Sequence, residues 1–344
     1  MKNKSNFSEQ SGLTKYRSGL FKSLIPSHFK RSHLNIVITV LVIIVFGTIP
    51  FYIDVDNSFF AYYLFICFCY IALSQGWNLV AGYTGQISLG GHAFFALGAY
   101  TTAIIWLNDL TKTWYYFDPV VMVISGLVPV IFAIIIGTPL LSRLRGDYFS
   151  FGTLAAAEVL RIVILKGGSF TQGAMGLRLP ASSFSSMYPY YWTGFLLAIF
   201  ATATVYLITR SRIGLALRAL NEDETSAASH GVQILFYKIF AFAVSAFLAG
   251  VCGSLFAYYL FIVSPLGIMN LNWMFYPILI CVLGGNGTIA GPIIGAFVVG
   301  AIFSYGDVFV GQIHPMITGI LIILVMKFMP TGIMGLKDKI FTRR

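Results

Sequence analysis

Ionisable side chains are scarce in this sequence, and two of them lie close together inside an apolar segment. Glu158 and Arg161 fall at positions i and i+3 of a predicted helix, so their side chains share one face. Charges inside a membrane-like segment are costly, and such residues usually pair or face a water-filled cavity. Two functions for Glu158 therefore stay open: a structural ion pair, or a place in a pathway or at an interface.

The motifs of common enzyme classes are missing from this sequence. It has no GxxxxGK(S/T) phosphate-binding loop, so we expect this polypeptide not to bind and hydrolyse ATP, and it has no HExxH zinc motif. No nucleophile, base and orienting group occur in a recognisable pattern, and His92 lacks a partner at metal-ligand spacing. We interpret the cysteines, which all lie in apolar segments, as small hydrophobes: Cys67, Cys69, Cys252 and Cys281. We predict no catalytic residue, metal or cofactor.

Two glycine-rich blocks carry polar groups that could line a pathway. The first is WNLVAGYTGQISLGGHAFFALGAY at residues 77–100, and the second is LGGNGTIAGPIIGAFVVG at residues 283–300. Small residues let helices approach closely and let a helix break at membrane depth. The glycines serve either packing alone or a pathway. The candidate pathway or gating residues are Gly85, Gln86, Ser88, Gly90, Gly91, His92, Glu158, Gly284, Gly285 and Gly287.

The two glycine-rich blocks also resemble each other. Gly85-Gln86-Ile87 and Gly287-Thr288-Ile289 lie in comparable positions, and each is followed by a predicted helix of small residues. Many transporters are built from internal structural repeats. The short match therefore hints at such a repeat in this chain.

Composition places the chain among polytopic membrane proteins. Of its 344 residues, 58% are hydrophobic and only 10% are charged, which is too apolar for one soluble core. The predicted fold class is therefore all-α, a helical membrane protein in a lipid bilayer. The net charge of +10 is spread beside the predicted spans rather than gathered in one patch, so the positive-inside rule explains it better than nucleic-acid binding.

About ten transmembrane spans follow from the apolar runs, since a span needs ~20 apolar residues. The first run is not followed by a cleavage site of small residues, so we interpret it as an uncleaved span. The eighth is short and compatible with a re-entrant segment. The predicted spans are 34–53, 58–80, 84–107, 117–140, 147–166, 190–209, 238–262, 272–285, 288–307 and 314–330.

Charge bias predicts the orientation of these spans. Basic residues concentrate on one side, which we predict to be cytoplasmic and to hold both termini. That side receives a polar tail at residues 1–33, the connection with Arg143 and Arg145, a loop at 210–237 and a basic tail at 337–344. The other side receives mostly acids: Asp54, Asp56, Asp109, Asp118 and Asp307. The predicted permease domain is thus residues 34–336.

The longest polar run between two apolar blocks is TRSRIGLALRALNEDETSAASHG at residues 209–231, which we call the polar segment. Its apolar residues recur at close to helical period, which predicts a short amphipathic helix at the membrane surface: Ile213, Leu215, Leu217 and Leu220. The segment also holds Arg218 and an acidic cluster, Glu222, Asp223 and Glu224, with which Arg218 could pair. On the opposite side, a glycine- and serine-rich loop at residues 167–189 is long enough to meet an external partner.

Four blocks of this sequence, in the same order, resemble the LivM-like permease subunits of ABC importers for branched-chain amino acids. The ending LVMKFMPTGIMGL is similar as well, and the match spans most of residues 70–336. The blocks are GWNLVAGYTGQISLGGHAFFALGAY at 76–100, LRGDYFSFGTLAAAEVLRI with TQGAMGL at 144–177, RSRIGLALRALNEDETSAASHGV with YKIFAFAVSAFLAGVCGSLFA at 210–257, and PILICVLGGNGTIAGPIIGAF at 277–297.

The resemblance implies a transport subunit of the bacterial cytoplasmic (inner) membrane. Its implied partners are a homologous second permease subunit, two cytoplasmic ABC ATPase subunits and an extracytoplasmic substrate-binding protein. The polar segment lies where such permeases carry the element that couples them to the ATPase. It resembles the EAA-type loop, although Thr225 stands six positions before Gly231 and departs from the usual spacing. The implied coupling residues are Arg218, Glu222, Glu224, Ala227, Ala228 and Gly231.

Two alternatives to branched-chain amino acid import remain. Related permeases are associated with urea and short amides, and no carboxylate clamp or side-chain pocket is evident in this sequence. An ion-coupled secondary transporter, with Glu158 as the coupling residue, is a reading of a different class.

Overall fold

The computed structural model of the chain describes residues 27–108, 118–180, 186–310, 315–329 and 332–335. It divides into two compact units, Met1–Asp54 and Val55–Arg344. The first unit contributes helix α1 (Ser27–Tyr52), which has Pro50 in its last turn. The predicted tail at 337–344 and residues 1–26 of the predicted N-terminal tail lie outside the described residues.

The described part of the second unit is almost entirely helical, which confirms the all-α prediction. Two-residue strands β1 (Leu177–Arg178) and β2 (Ile262–Val263) pair antiparallel, and a 3₁₀ turn covers Gly173–Met175. The helices are α2 (Phe59–Thr84), α3 (Gly91–Leu107), α4 (Pro119–Arg143), α5 (Asp147–Leu165), α6 (Gly168–Thr171), α7 (Tyr188–Arg210), α8 (Arg212–Glu222), α9 (Glu224–Ser229), α10 (Ile234–Leu260), α11 (Pro265–Ile268), α12 (Asn272–Gly284), α13 (Ala290–Val310) and α14 (Pro315–Phe328).

An apolar helix lies at each predicted span. In the described residues, 7 helices are long and apolar enough to cross a membrane, and three shorter apolar helices accompany them at Val40–Tyr52, Gly91–Leu107 and Ala290–Gly306. The chain is therefore a multi-pass helical membrane protein. The predicted third span differs at its start, because α2 continues to Thr84 and residues 85–90 are not helical. Gly85 ends α2 in the left-handed conformation (φ 70°), which suits glycine.

Helix α2 lies at the centre of the second unit. Every residue from Tyr63 to Ala81 is buried, and the helix packs against α7, α10, α12 and α13. A helix that is buried on all sides must pair its polar side chains with protein groups rather than water. The polar residues of α2 therefore have partners on neighbouring elements, and these partners define the site described below.

Helix α10 forms the second packing centre, against α3 and α4. The hydroxyl of Thr102 on α3 lies 2.8 Å from that of Ser125 on α4 and 2.7 Å from that of Ser254 on α10, so hydrogen bonds join the three helices. Glycines bring the α3 and α10 backbones unusually close. A Cβ at Gly98 would lie 2.0 Å from the carbonyl oxygen of Gly250. The small-residue pattern of the first glycine-rich block thus serves helix packing at this position.

Replacing Gly253 by alanine is expected to destabilise the α3–α10 pair. A Cβ at Gly253 would lie 1.9 Å from the carbonyl oxygen of Phe95, so the two backbones must separate. Overpacking of this kind typically costs about 1–3 kcal/mol. Thermal unfolding in detergent, followed by size-exclusion chromatography, should show a lower midpoint. Gly91→Ala is the matched control, because a Cβ there meets no atom within 4 Å. Equal midpoints for the two variants would contradict this close packing.

Candidate coupling and pathway site

The polar segment folds as two consecutive helices, α8 and α9, joined at Asp223. Ser211 caps α8, its hydroxyl accepting from the backbone N–H of Ile213. Leu217 and Leu220 are buried, which confirms the predicted amphipathic helix, but Leu215 is 67% exposed and lies on the outer face. The segment is thus a folded surface element with one face against the helical bundle.

Asp223 ends α8 and begins α9. Its Oδ1 accepts hydrogen bonds from the Thr225 hydroxyl (2.6 Å), the Thr225 N–H (2.7 Å) and the Ser226 N–H (3.1 Å). These bonds, the Thr225 hydroxyl first among them, hold the pKa of Asp223 below its usual range because they favour the carboxylate. The cap is therefore complete above the ordinary pKa of an aspartate and is lost as the pH falls through the lowered value.

Gly231 ends α9 in a Schellman motif. The N–H of Val232 donates to the carbonyl of Ala227 (3.1 Å), and the N–H of Gly231 donates to that of Ala228 (2.9 Å). The motif needs a positive φ at Gly231, which is 83°. The backbone conformation therefore favours glycine at position 231, because other residues rarely adopt a positive φ.

The predicted coupling residues divide between two faces of the segment. Glu222, Ala228 and Gly231 are exposed, whereas Ala227 is 5% exposed and the Glu224 side chain is 19% exposed. Arg218 is exposed too, but its guanidinium lies over the ring of Tyr83 on α2, 5.7 Å from the ring centre. Arg218 does not pair with the acidic cluster, because the ion pairs among the described residues are Glu158–Arg161 and Glu224–Lys238.

Glu224 faces the bundle and binds two other elements. Its Oε1 accepts a hydrogen bond from the Lys238 ammonium on α10 (2.5 Å) and one from Nε2 of Gln86 (3.2 Å). Lys238 is only 2% exposed. Lys238 was not among the site residues predicted from the sequence, although a single lysine inside the apolar start of α10 could have pointed to it.

Gln86 belongs to the non-helical residues 85–90, which we call the first glycine linker. The linker is fixed from α2 and α5: Nε1 of Trp77 donates to the carbonyl of Ser88 (2.9 Å), and the Ser150 hydroxyl donates to that of Ile87 (2.6 Å). The Thr153 hydroxyl accepts from the N–H of Leu89 (3.0 Å). Gly90 packs closely on α5, where a Cβ would lie 2.8 Å from the Thr153 carbonyl oxygen. The predicted break between the second and third spans is present, but it covers residues 85–90 rather than 81–83.

Residues 285–289 form the second glycine linker, between α12 and α13, and Asn78 of α2 holds it. The Asn78 amide nitrogen donates to the Thr288 carbonyl (2.8 Å), and its oxygen accepts from the Gly287 N–H (2.8 Å). One turn earlier, Nε2 of Gln75 donates to the carbonyl of Ile289 (2.8 Å). Sequence analysis missed Gln75 and Asn78, although amides at positions i and i+3 of an apolar helix were a usable signal.

The other predicted glycines of the second block serve close packing and a turn. Gly284 faces α13, where a Cβ would lie 1.9 Å from the Gly291 carbonyl oxygen, and Gly287 has a φ of 73°. Gly85 and Gly287 thus share a positive φ in the turns that follow α2 and α12. Gly285 has a positive φ as well, 123°.

Glu158 and His92 lie apart from the contacts around Glu224. Glu158 and Arg161 form an ion pair on α5, one of the two possibilities left open for Glu158, at 3.4 Å, with side chains 40% and 31% exposed. His92 is fully buried at the start of α3, and neither ring nitrogen has a hydrogen-bond partner among the described residues. No group of three or more potential metal ligands occurs in the described part of the chain.

The second unit is a helical bundle in which two glycine-rich linkers interrupt the helices, and the folded polar segment lies at the same end. These features are typical of multi-pass membrane proteins of the transporter type. Residues 59–326 match the family model described as branched-chain amino acid transport system / permease component. The chain belongs to this family.

Individual relatives extend the comparison. The chain is 31% identical over 256 residues to the high-affinity branched-chain amino acid transport system permease protein LivM of Salmonella typhimurium, covering 66% of this chain and 59% of the relative. It is 25% identical over 294 residues to LivH of the same organism, covering 77% of this chain and 91% of LivH. The match thus spans less than two thirds of the length of LivM. No solved structure matches the chain.

Proposed function

We propose that this chain is the membrane-spanning permease subunit of an ATP-driven importer that translocates branched-chain amino acids delivered by an extracytoplasmic binding protein. The family match over residues 59–326 is the observation that carries the proposal. The missing phosphate-binding loop fits it, because ATP hydrolysis then belongs to partner subunits. The chain has ten spans and cytoplasmic termini, and it lies in the inner membrane of a bacterium.

The proposed importer contains a homologous second permease, two cytoplasmic ATPases and the binding protein. The ATPase contacts the outer face of the polar segment, which we call the coupling face: Leu215, Glu222, Ala228 and Gly231. This face is exposed, and it stands on a segment whose own folding is secured by the Asp223 cap and the Schellman motif. Ala227 and Glu224 support the segment from its inner side, and the exposed Arg218 packs its guanidinium over Tyr83 of α2.

The glycine linkers are the proposed moving parts of the pathway. Irregular backbone at membrane depth is tolerated where protein or a water-filled cavity surrounds it. Both linkers contain glycines with a positive φ, and both are held by hydrogen bonds from α2. Closure of the ATPases moves α8 and α9, and the movement reaches the linkers through α2 and α10. Pathway roles for Glu158 and His92 belong to the same proposal.

Uptake by proteoliposomes tests this function against its alternatives. The chain is purified from membranes with its co-purifying subunits and reconstituted together with the binding protein. We expect leucine uptake that requires ATP and persists when a protonophore collapses the proton gradient. Uptake driven by an ion gradient without ATP would identify a secondary transporter. ATP-driven uptake of urea or acetamide, but not leucine, would identify the amide importer.

A further inference from the structure

Three elements meet at the carboxylate of Glu224. The residue itself begins α9, Lys238 comes from α10, and Gln86 comes from the first glycine linker. Both donors reach the same oxygen, Oε1. The described contacts between the polar segment and the first glycine linker include no second side-chain hydrogen bond. Asn221 also lies against Gly85 of the linker, so Glu224 is the point at which a side-chain hydrogen bond joins the surface segment to a break between two spans.

The two hydrogen bonds at Glu224 differ in strength. Lys238 is almost completely buried, and a buried charge must keep its partner, so the ion pair holds α9 to α10. Gln86 is a neutral donor at the longer distance of 3.2 Å. Movement of α9 therefore carries the Lys238 end of α10 with it, whereas the bond to Gln86 can break and form again.

The linker beside Gln86 is fixed on its other side. Its carbonyl and N–H groups at residues 87–89 are bonded to Trp77, Ser150 and Thr153. Gln86 follows Gly85, whose left-handed conformation ends α2. A displacement of Glu224 thus acts on the linker at one residue, next to its most permissive backbone position.

We propose that Glu224 is a positioning residue that transmits movement of the polar segment to the first glycine linker, with Lys238 as the fixed partner and Gln86 as the exchanging one. The ATPase contact is made by the coupling face, not by Glu224. This inference rests on the proposed function, because it needs an ATPase to move the segment. A purely structural role for Glu224 predicts something different: loss of Gln86 would leave coupling unchanged.

The test measures leucine transported per ATP hydrolysed by the reconstituted complex. Gln86→Leu keeps the ion pair and removes the exchanging bond. We expect ATP hydrolysis to continue while transport per ATP falls by about tenfold, within the usual range of coupling between sites. Asp147→Asn and Lys166→Met are the controls, since both side chains are exposed and lie outside this contact. Both controls should keep the wild-type ratio.

A double variant, Glu224→Leu with Lys238→Met, removes the charges together and avoids a buried unpaired lysine. It should assemble, show the same low ratio as Gln86→Leu, and show no further loss when the three substitutions are combined. A wild-type ratio in Gln86→Leu would overturn the inference, whether or not the double variant assembles. Absence of ATP-driven uptake in the wild-type complex would instead refute the proposed function.

Discussion

Replacing Asn78 by leucine is expected to destabilise the protein strongly and to abolish uptake. Asn78 is fully buried, and its amide satisfies both the N–H of Gly287 and the carbonyl of Thr288. Leucine has a similar size but leaves both backbone groups without this partner, at about 1–3 kcal/mol each. The combined loss of about 2–6 kcal/mol is large against the marginal stability of folded proteins. Thermal unfolding in detergent measures it.

Asn108→Leu is the matched control for this substitution. Asn108 is exposed at the end of α3, and within the described part of the chain its side-chain amide donates to the carbonyl of Ile104 in that helix. We expect its unfolding midpoint to stay within a degree or two of wild type, since surface substitutions usually change stability by less than about 0.5 kcal/mol. If the Asn78 and Asn108 variants unfold at the same temperature, α2 does not hold the second glycine linker.

An arginine at Ala228 is expected to separate ATP hydrolysis from transport. Ala228 is exposed on the coupling face, so a larger side chain fits without disturbing the fold. A bulky charge at the centre of an interface commonly costs more than 2 kcal/mol, which is more than about a 25-fold loss of affinity. We expect the variant to fold and insert normally, to lose most of its associated ATPase, and to lose leucine uptake by a similar factor.

Ser142→Arg controls for the added charge. Ser142 is exposed in the last turn of α4, next to Arg143, and this turn is predicted to lie on the same side of the membrane. It lies outside the polar segment, so the ATPase should remain bound and uptake should remain near wild type. Co-purification of the ATPase with the tagged permease reads the result directly. An Ala228→Arg variant that retains the ATPase and transports normally would contradict the proposal that the ATPase contacts the coupling face.

The positions of the apolar helices followed from the sequence, because each needs a long apolar run and little else. Hydropathy identifies even a helix that is buried in protein, such as α2, because the mean hydropathy of a segment does not depend on whether lipid or protein surrounds it. A break between the second and third spans was predicted as well, since small residues cluster there and Gly85 permits a positive φ. Its exact start was not, because α2 continues beyond the predicted end of the second span.

The partners of polar side chains that lie far apart in the sequence could not be predicted. Lys238 and Glu224 are 14 residues apart, and Gln86 is 138 residues from Glu224, so only the packed fold brings them together. Periodicity grouped Leu215 with the apolar face of α8, but the helix turns it outward. The predicted coupling residues were likewise one set in the sequence, and the structure divides them between an outer face and an inner one.

The proposed import function is decided by measuring ATP-driven uptake of radiolabelled leucine into vesicles that contain the reconstituted complex and its binding protein, with and without a protonophore. We predict uptake that requires ATP, is competed by isoleucine and valine, and is indifferent to the protonophore. Leucine uptake that needs no ATP and stops when the proton gradient collapses would contradict it.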